Sequence, residues 1–446
     1  MHQTNDTKSA GIYTLGCKVN QYESEAIAEE LIRGGVRILP PHHVADAYVI
    51  NTCTVTAESD RKARQFIRRA IQKNPNAVIA VTGCLAQTAP ETLTRIEGVD
   101  VIVGNTDKLL CAKEVLRLLK EGKKPSAPSL HIRPIEGAPF EPMRICTFGR
   151  TRAYVKIEDG CENRCAYCII PSARGLVRSK PAEEVLEEVK DLIAGGCREI
   201  VLTGIETASY GKDLEKDNLA SLLERVDALD GACRIRLGSL DPSLFRPDTV
   251  ARISTLSSLA PHFHLSLQSG SSRILAKMKR KYNADQARMA LARLREAIPR
   301  VKFTTDVIVG FPGETEEDFL ETERFVREAE FLMVHIFPYS KRKGTPAERM
   351  PDQVPDEVKK ERLHRLEAVA RQARLTVLER AIREYPDTEV LFETFKDGFA
   401  YGHTDDFLEV AVPSSVSLCG RLLPVCLTHT DGTLCFGTLR EGVHTT

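Results

Sequence analysis

The chain has 446 residues, of which 42% are hydrophobic and 28% are charged, a composition typical of globular proteins with packed cores. Lysine plus arginine equals aspartate plus glutamate, so the formal net charge of zero says nothing about nucleic acid, and any RNA-binding surface must be local. No apolar run reaches the roughly 18 residues of a membrane helix, and the polar N-terminus lacks a secretory signal, so we expect a cytoplasmic protein without membrane partners.

The first part of the chain, residues 10–121, alternates short apolar runs with helical patterns. The predicted strands are Ile12–Leu15, Ala47–Ile50, Val78–Val81 and Val99–Val103, and the clearest predicted helix is Glu58–Asn74. This alternation predicts a small α/β domain with a parallel sheet. Residues 122–148 are rich in proline, glycine and lysine and are predicted to form a linker.

Residues 149–380 repeat the alternation on a larger scale, with six βα units that predict an open, partial (β/α)6 barrel. Its predicted strands are Ala153–Ile157, Glu199–Thr203, Arg234–Leu237, His262–Leu267, Lys302–Val309 and Met333–Phe337. A long charged helix, about Asp356 to Arg383, closes this block. Residues 384–446 contain short strand-like runs, such as Glu389–Phe395 and Phe407–Val412, separated by turns, and are predicted to form a small antiparallel β-barrel.

The sharpest functional signal is a set of three cysteines, Cys161, Cys165 and Cys168, just after the first strand of the larger barrel. Three closely spaced thiolates suit three irons of a 4Fe–4S cluster. No fourth cysteine follows nearby, so one iron would stay open, which is typical of catalytic metal sites. The alternative is a structural zinc or cluster site completed by a distant cysteine, although structural sites usually contain two cysteine pairs.

A second set, Cys17, Cys53 and Cys84, is dispersed in sequence, but each of these cysteines closes a predicted strand. If the strands are parallel, the three thiols emerge at one sheet edge and could hold a second cluster with an open iron. The alternative is three buried structural cysteines. The other seven cysteines are predicted to be core or surface thiols. His262 and His264 share one face of a strand, which favours core packing.

The Cys161 motif resembles that of the radical S-adenosylmethionine superfamily, and the resemblance covers the whole larger barrel. It implies that an electron from the cluster cleaves S-adenosylmethionine and releases a 5′-deoxyadenosyl radical. Ligands of such sheets bind at the carboxyl ends of the strands, where this sequence has polar or glycine-rich turns. By resemblance, the cofactor-binding residues are Tyr167, whose ring would pack against the adenine, and Gly204, Glu206, Gln268, Ser269, Gly310 and Gly313.

The order of the domains resembles that of the methylthiotransferases, which replace an unactivated C–H bond with C–SCH3. This resemblance implies two 4Fe–4S clusters, S-adenosylmethionine, a C-terminal TRAM-like domain and a low-potential electron donor such as flavodoxin or ferredoxin. One cluster would generate the radical and the other would supply the sulfur, so all six cysteines would be catalytic. Residues 17–23, 168–175 and 337–346 are similar to the subgroup that modifies threonylcarbamoyladenosine in the anticodon loop of tRNA.

Three alternatives to this function remain open. The chain could modify isopentenyladenosine in tRNA, modify an aspartate of a ribosomal protein, or be a non-enzymatic iron–sulfur protein that binds RNA. Basic clusters at residues 61–68, 277–281 and 341–343 could contact RNA phosphates, or could be ordinary solvated surface. Lys343 or Arg174 could select the threonyl carboxylate of the substrate. The C-terminal barrel is acidic, which does not favour general attraction to phosphate there.

Overall fold

The computed structural model describes residues 7–149, 151–231 and 233–440, so residues 441–446 of the predicted C-terminal domain lie outside the described residues. The N-terminal part is a parallel six-stranded sheet in the order β2-β1-β3-β4-β5-β6. Its strands are β1 (Ser9–Thr14), β2 (Arg37–Leu39), β3 (Ala47–Thr52), β4 (Val78–Gly83), β5 (Val101–Val103) and β6 (Ser129–His131), and its helices are α1 (Lys18–Arg33), α2 (Ala57–Lys73), α3 (Cys84–Thr88), α4 (Pro90–Thr94) and α5 (Leu109–Glu121).

Strands β3 and β4 are buried along their whole length, because helices cover both faces of the sheet. Helix α2 begins where Thr56 accepts a hydrogen bond from the backbone N–H of Ser59 and acidic residues occupy its first turn. Strand β6 lies in the segment that we expected to be a linker and pairs with β5. Its three residues, flanked by prolines, contain no apolar alternation from which a strand could be predicted.

The larger block is the predicted open barrel, formed by two parallel sheets in the orders β11-β10-β7 and β12-β13-β14-β15. A bridge between Ile235 and Leu259 links them, and β11 and β12 are almost continuous in sequence. The strands are β7 (Ala153–Lys156), β8 (Glu158–Asp159), β9 (Arg178–Ser179), β10 (Glu199–Thr203), β11 (Arg234–Leu237), β12 (Ser239–Leu240), β13 (His262–Gln268), β14 (Lys302–Val309) and β15 (Met333–Pro338). The helices are α6 (Ile170–Arg174), α7 (Ala182–Ala194), α8 (Leu219–Asp227), α9 (Pro247–Ile253), α10 (Ser272–Lys277), α11 (Ala284–Ala297) and α12 (Glu316–Ala329).

The last part of the chain is a closed five-stranded barrel in the order β16-β17-β18-β20-β19, which confirms the expected small barrel. Its strands are β16 (Asp387–Lys396), β17 (Phe399–His403), β18 (Glu409–Pro413), β19 (Leu422–Thr430) and β20 (Cys435–Leu439). The preceding long helix, α13 (Asp356–Glu384), packs against both β15 and β19 and so joins the two barrels. Within the described ranges, no helix combines the length and apolarity needed to span a membrane.

A buried ionic contact seals the C-terminal barrel against the amino ends of the larger barrel's strands. Glu199 accepts hydrogen bonds from Arg236 at 2.9 and 3.1 Å, and it pairs with Arg152 at 3.0 Å. Arg152 also pairs with Glu393 of β16. Burial alone would raise the pKa of Glu199, but the arginines lower it to about 2. Its contribution to stability is therefore present above about pH 4.5 and is lost as the pH falls toward 2.

We expect Glu199→Gln to lower the free energy of unfolding by about 3–5 kcal/mol, because it leaves buried guanidinium groups without their counter-charge. Urea unfolding followed by circular dichroism measures this, since the chain has no tryptophan. Glu224→Gln is the matched control, because Glu224 forms an exposed pair with Arg252 and should cost less than about 1 kcal/mol. Equal effects of the two substitutions would contradict a structural role for the Glu199 contact.

Candidate functional site

The three cysteines of the N-terminal domain lie together at the carboxyl edge of its sheet. Cys17 follows β1 and precedes α1, Cys53 follows β3, and Cys84 is the first residue of α3, after β4. Because these strands are parallel neighbours, their ends converge at one edge. Cys17 is exposed, whereas Cys53 and Cys84 are buried. The arrangement agrees with the predicted convergence of three thiols.

Polar side chains fix the turns that carry these thiols. Asn20 donates to the carbonyl of Leu15 at 2.6 Å and to that of Thr52 at 3.0 Å, which ties the start of α1 to the end of β3. Desolvation by the surrounding protein raises the pKa of Cys17, although solvent still reaches its side chain, and burial raises that of Cys53 to about 12. The Cys84 thiol acts in the same direction on the pKa of both. Thiols held this way retain their protons unless cations replace them, so the donor set fits a metal cluster.

The second thiol set lies in the loop between β8 and β9. The loop is closed by the amide of Cys161, which donates to the carbonyl of Gly175 at 2.9 Å. Gly160 begins the loop with a φ of 94°, and a Cβ there would lie 1.9 Å from the carbonyl oxygen of Leu176. Burial raises the pKa of Cys161 and that of Cys168 to about 12. The third thiol, of Cys165, accepts from Arg280 at 3.2 Å.

Near Cys161, the buried side chains of Asn163 and Glu206 line a cavity of about 350 Å³. Asn163 donates to Glu206 at 3.1 Å, and the backbone amide of Glu206 donates to Glu158 at 2.8 Å. One side-chain oxygen of each of these three residues has no partner among the described atoms. Burial and then Asp241 raise the pKa of Glu206 to about 7. Unpartnered acceptors beside an open-iron site fit a ligand with an ammonium group, such as S-adenosylmethionine.

The other residues predicted to bind S-adenosylmethionine surround the same carboxyl ends of the strands. Gln268 ends β13 with a φ of 67°, while the hydroxyl of the adjacent Ser269 is buried 3.3 Å from that of Thr322 on α12. The ring of Tyr167 meets Phe311 edge-on, with centroids 6.4 Å apart. Ser269 therefore has a structural partner within the protein, and its expected contact with the cofactor stays a prediction.

The three predicted glycines each occupy a constrained position. A Cβ at Gly204 would lie 2.4 Å from a carboxylate oxygen of Glu158. Gly310 and Gly313 have φ angles of 71° and 77°, which favour glycine, and the amide of Gly310 donates to Glu314 at 3.0 Å. These glycines shape the turns at the strand ends, and their contact with the cofactor also stays a prediction.

The two cysteine sets face each other across helices α3 and α6, which contact one another. Asn105 spans the contact, because its amide nitrogen donates to the carbonyl of Ala173 at 2.8 Å and lies 3.7 Å from the sulfur of Cys84. Cys84 also contributes to the raised pKa of Cys168. The fold thus brings both sets to one site between the N-terminal domain and the open barrel.

A buried group of charges, here called the Glu23 ion cluster, lies beneath the two sets. Its members are Glu23 and Lys108 from the N-terminal domain and Lys156, Asp159, Arg174 and Arg178 from the larger barrel. Arg174 is fully buried and contacts Glu23 at 2.6 Å and Asp159 at 3.2 Å. Burial alone would raise the pKa of Glu23, but Arg174, Lys108 and Lys156 lower it well below its usual value.

Several basic residues have roles that differ from those expected. Arg174 is wrong as a candidate for substrate selection, because it is fully buried and its guanidinium donates to Asn20 and to Glu23 and Asp159 of the Glu23 ion cluster. Arg280 is not an exposed phosphate contact, since it donates to Cys165 and pairs with Asp241 at 2.8 Å. Arg342 pairs with Asp60 at 2.8 Å and joins the two domains. Residue type alone could not separate buried arginines from exposed ones.

The interior of the open barrel contains polar residues that the sequence did not single out. His264, Asp306 and His335 have ligand atoms within 4.8 Å of one another, and His264 contacts Asp306 at 3.3 Å. His264 is therefore part of a polar cluster and does not simply pack in the core. Lys18 reaches this interior from α1: the protein around it, together with Arg236, lowers its pKa to about 8. Because successive side chains of a strand point to opposite faces, the residue pattern of β13 to β15 would have indicated which positions face the interior of the barrel.

Comparison with known proteins identifies two family matches and close relatives. Residues 155–326 match the Radical SAM superfamily, and residues 9–104 match the Uncharacterized protein family UPF0004. The chain is 41% identical to the threonylcarbamoyladenosine tRNA methylthiotransferase MtaB of Bacillus subtilis, over 94% of this chain and 93% of the relative. It is 38% identical to a tRNA-2-methylthio-N(6)-dimethylallyladenosine synthase of Clostridium botulinum, over 83% of each chain.

Solved structures share the fold at low sequence identity. The radical S-adenosylmethionine methyltransferase TsrM from Kitasatospora setae, solved with cobalamin and a 4Fe–4S cluster, aligns with a TM-score of 0.53 and 16% identity, over 76% of this chain and 77% of its own. The cobalamin-dependent S-adenosylmethionine radical enzyme OxsB aligns with a TM-score of 0.51 and 11% identity, and the alignment covers 83% of this chain and 58% of OxsB. These likenesses confirm the predicted α/β architecture of the open barrel.

We expect Gly83→Ala to remove the iron bound at the N-terminal thiols and to spare that at the Cys161 set. Gly83 has a φ of 101°, and a Cβ there would lie 2.3 Å from the carbonyl oxygen of Thr52, which would displace the neighbouring Cys84. Anaerobic iron analysis should fall from about eight irons to about four.

Gly35→Ala is the matched control for this substitution, because Gly35 has a φ of 83° but no atom near the added Cβ. It imposes only the backbone strain, roughly 1–2 kcal/mol, and should keep all of the iron. Unchanged iron in Gly83→Ala would contradict a cluster at Cys84, and circular dichroism checks that both variants are folded.

Proposed function

The chain belongs to the tRNA methylthiotransferases of the radical S-adenosylmethionine superfamily, and we propose that it converts N6-threonylcarbamoyladenosine next to the anticodon of tRNA into its 2-methylthio derivative. The observation that supports this most strongly is the meeting of two three-thiol sets across α3 and α6. Radical formation and sulfur transfer need two cofactors held at a fixed separation. The substrate rests on the 41% identity to the threonylcarbamoyladenosine enzyme of Bacillus subtilis.

Each set of residues has a separate role in this proposal. Cys161, Cys165 and Cys168 hold the cluster that binds S-adenosylmethionine, and Cys17, Cys53 and Cys84 hold the cluster that carries the sulfur. When bound, these groups supply the 5′-deoxyadenosyl radical that removes hydrogen from carbon 2 of the base and the methylated sulfur that replaces it. The protein's own task is to hold both clusters and the base in one cavity.

The residues around Cys161 bind and orient the cofactor. The unpartnered oxygens of Glu206, Glu158 and Asn163 would accept hydrogen bonds from the ammonium and hydroxyl groups of S-adenosylmethionine. Arg280 donates to the sulfur of Cys165 and so fixes the position of this ligand. Gln268, Gly310 and Gly313 line the same strand ends, and Tyr167 offers a ring against the adenine.

Partners follow from this chemistry. A target in the anticodon loop is accessible because proteins read unstacked loop bases more easily than paired ones. Reductive cleavage needs a low-potential electron donor, for which flavodoxin or ferredoxin is suitable. We expect the enzyme to work in the cytoplasm, where its tRNA substrate is found.

We expect the two thiol sets to have separable functions. Replacing Cys17, Cys53 and Cys84 by alanine should leave the formation of 5′-deoxyadenosine intact, because the other cluster still binds S-adenosylmethionine, and should abolish methylthio transfer. Replacing Cys161, Cys165 and Cys168 should abolish both. Chromatographic measurement of 5′-deoxyadenosine and of the modified nucleoside decides this. Equal loss of 5′-deoxyadenosine in the two folded variants would contradict the division.

We expect the wild-type enzyme to methylthiolate an anticodon stem-loop that carries threonylcarbamoyladenosine. Anaerobic turnover followed by nucleoside mass spectrometry, with a matched stem-loop carrying isopentenyladenosine, tests the substrate. Modification of the isopentenyl stem-loop alone would assign the chain to the substrate of its Clostridium botulinum relative. Modification of neither, with activity on a ribosomal protein, would exclude tRNA as the substrate.

A further inference from the structure

Lys18 is a cation without a partner inside the candidate site. It is the first residue of α1, directly after Cys17, and its side chain is exposed to solvent. Among the described residues it has neither a hydrogen-bond partner nor an ion-pair partner, in contrast to the lysines and arginines of the Glu23 ion cluster. An accessible amine that is not neutralised within the protein is free to bind an anionic group of a ligand.

The charged groups that act on the amine of Lys18 belong to the larger barrel. The charges that act on it belong to Arg152, Glu199, Arg236 and Asp306, which lie at or near the strands of the larger barrel. Lys18 acts in turn on His335 of β15. The amine of Lys18 therefore lies within electrostatic range of Asp306 on β14 and His335 on β15.

His335 is the second group without a hydrogen-bond partner. It pairs in register with Asp306 across β14 and β15, and its ring centroid lies 5.9 Å from that of His264. His264 is already held, because one ring nitrogen lies 2.9 Å from the hydroxyl of Thr304 and the other 3.3 Å from Asp306. Arg236 and His262 each have one further ring or guanidinium nitrogen without a partner, but both side chains are buried. The solvent-accessible nitrogen donors without a hydrogen-bond partner in this part of the described structure are thus the amine of Lys18 and the imidazole of His335.

We infer that Lys18 and His335 form the subsite that binds the carboxylate of the amino-acid substituent on the target base. In this subsite, Asp306 accepts a hydrogen bond from the hydroxyl group of the same substituent. This inference rests on the proposed function and adds the residues that select the substrate. Lys18 follows the cluster ligand Cys17 directly, so an anion bound to it keeps the attached base beside that cluster. An isopentenyl group has no charge and would leave Lys18 unpaired.

The three side chains His264, Asp306 and His335 are also spaced closely enough to hold a metal ion. Two observations argue against a cation there. The charge of Lys18 acts on His335 and would repel a dication, and Asp306 is already engaged by His264. An anion satisfies the unpartnered donors without either cost.

The test measures the binding of three anticodon stem-loops to the reconstituted holoenzyme by fluorescence anisotropy. The stem-loops differ only in the substituent on the target base, which is threonylcarbamoyl with a free carboxylate, the methyl ester of that group, or isopentenyl. We expect the wild type to prefer the acid over the ester by about 10- to 100-fold, the range for one charge-assisted contact. Lys18→Gln should abolish this preference by weakening only the binding of the acid. His335→Gln should reduce it by about 3- to 10-fold.

Two controls separate this subsite from other causes. Lys113→Gln removes an exposed lysine on α5 and should leave the preference unchanged. Iron content and 5′-deoxyadenosine formation show whether Lys18→Gln retains both clusters; if it does not, His335→Gln decides, because His335 is distant in sequence from every cysteine ligand.

The inference is overturned if both variants keep the wild-type preference, or if only Lys343→Gln abolishes it. It also fails if the wild type methylthiolates the threonylcarbamoyl stem-loop but binds acid and ester equally, a result that leaves the proposed function intact. A wild type that methylthiolates no threonylcarbamoyl stem-loop refutes the proposed function itself, whatever the binding data show.

Discussion

The Glu23 ion cluster is the contact on which the geometry of the site depends. It combines four cations with two carboxylates, drawn from both domains and almost fully buried. Burying charges costs several kcal/mol per ion, and only close pairing offsets that cost. An apolar interface would stabilise the two domains at several relative positions, whereas these pairs are satisfied in one. The excess positive charge also lies beneath sulfur ligands that must be anionic when metal is bound.

The first two turns of helix α1 connect the Glu23 ion cluster to the N-terminal thiol set. Cys17 precedes the helix and Lys18 begins it, facing the open barrel. Asn20 lies one turn later and ties β1 to β3, and Glu23, three residues beyond Asn20, enters the ion cluster. Residues three apart share a helix face, so the groups that fix the helix and the groups that face the substrate are set by one rigid element. A small rotation of α1 would therefore disturb the cluster, the anion subsite and the interface together.

The sequence predicted the architecture and the two thiol sets because both depend on local pattern. Long apolar strands alternate with amphipathic helices. Each cysteine of the N-terminal set closes a strand, so parallel topology brings those thiols together, whereas the other three are close in sequence within one loop. What it could not predict depends on tertiary contacts. Arg174 and Arg280 lie in motifs that resemble exposed basic sequence, yet each is neutralised by a carboxylate distant in the chain. Strand β6 is too short for an alternation of apolar and polar residues to be recognised. The place of His335 in a polar cluster depends on its neighbours on β13 and β14, which the sequence around it does not reveal.

The acidity of the C-terminal barrel has a structural explanation. Its carboxylates face basic groups at the amino ends of the larger barrel's strands: Glu393 pairs with Arg152, Asp405 with Arg300 at 3.1 Å, and Asp406 with Lys302 at 3.5 Å. Part of the negative charge therefore serves to dock this barrel. Because this docking closes the amino ends of the strands, while the cysteines of the larger barrel lie toward their carboxyl ends, substrate must enter from the opposite side or between the domains. The open barrel thus has one closed end and one reactive end, and the N-terminal domain covers the reactive end with the second thiol set.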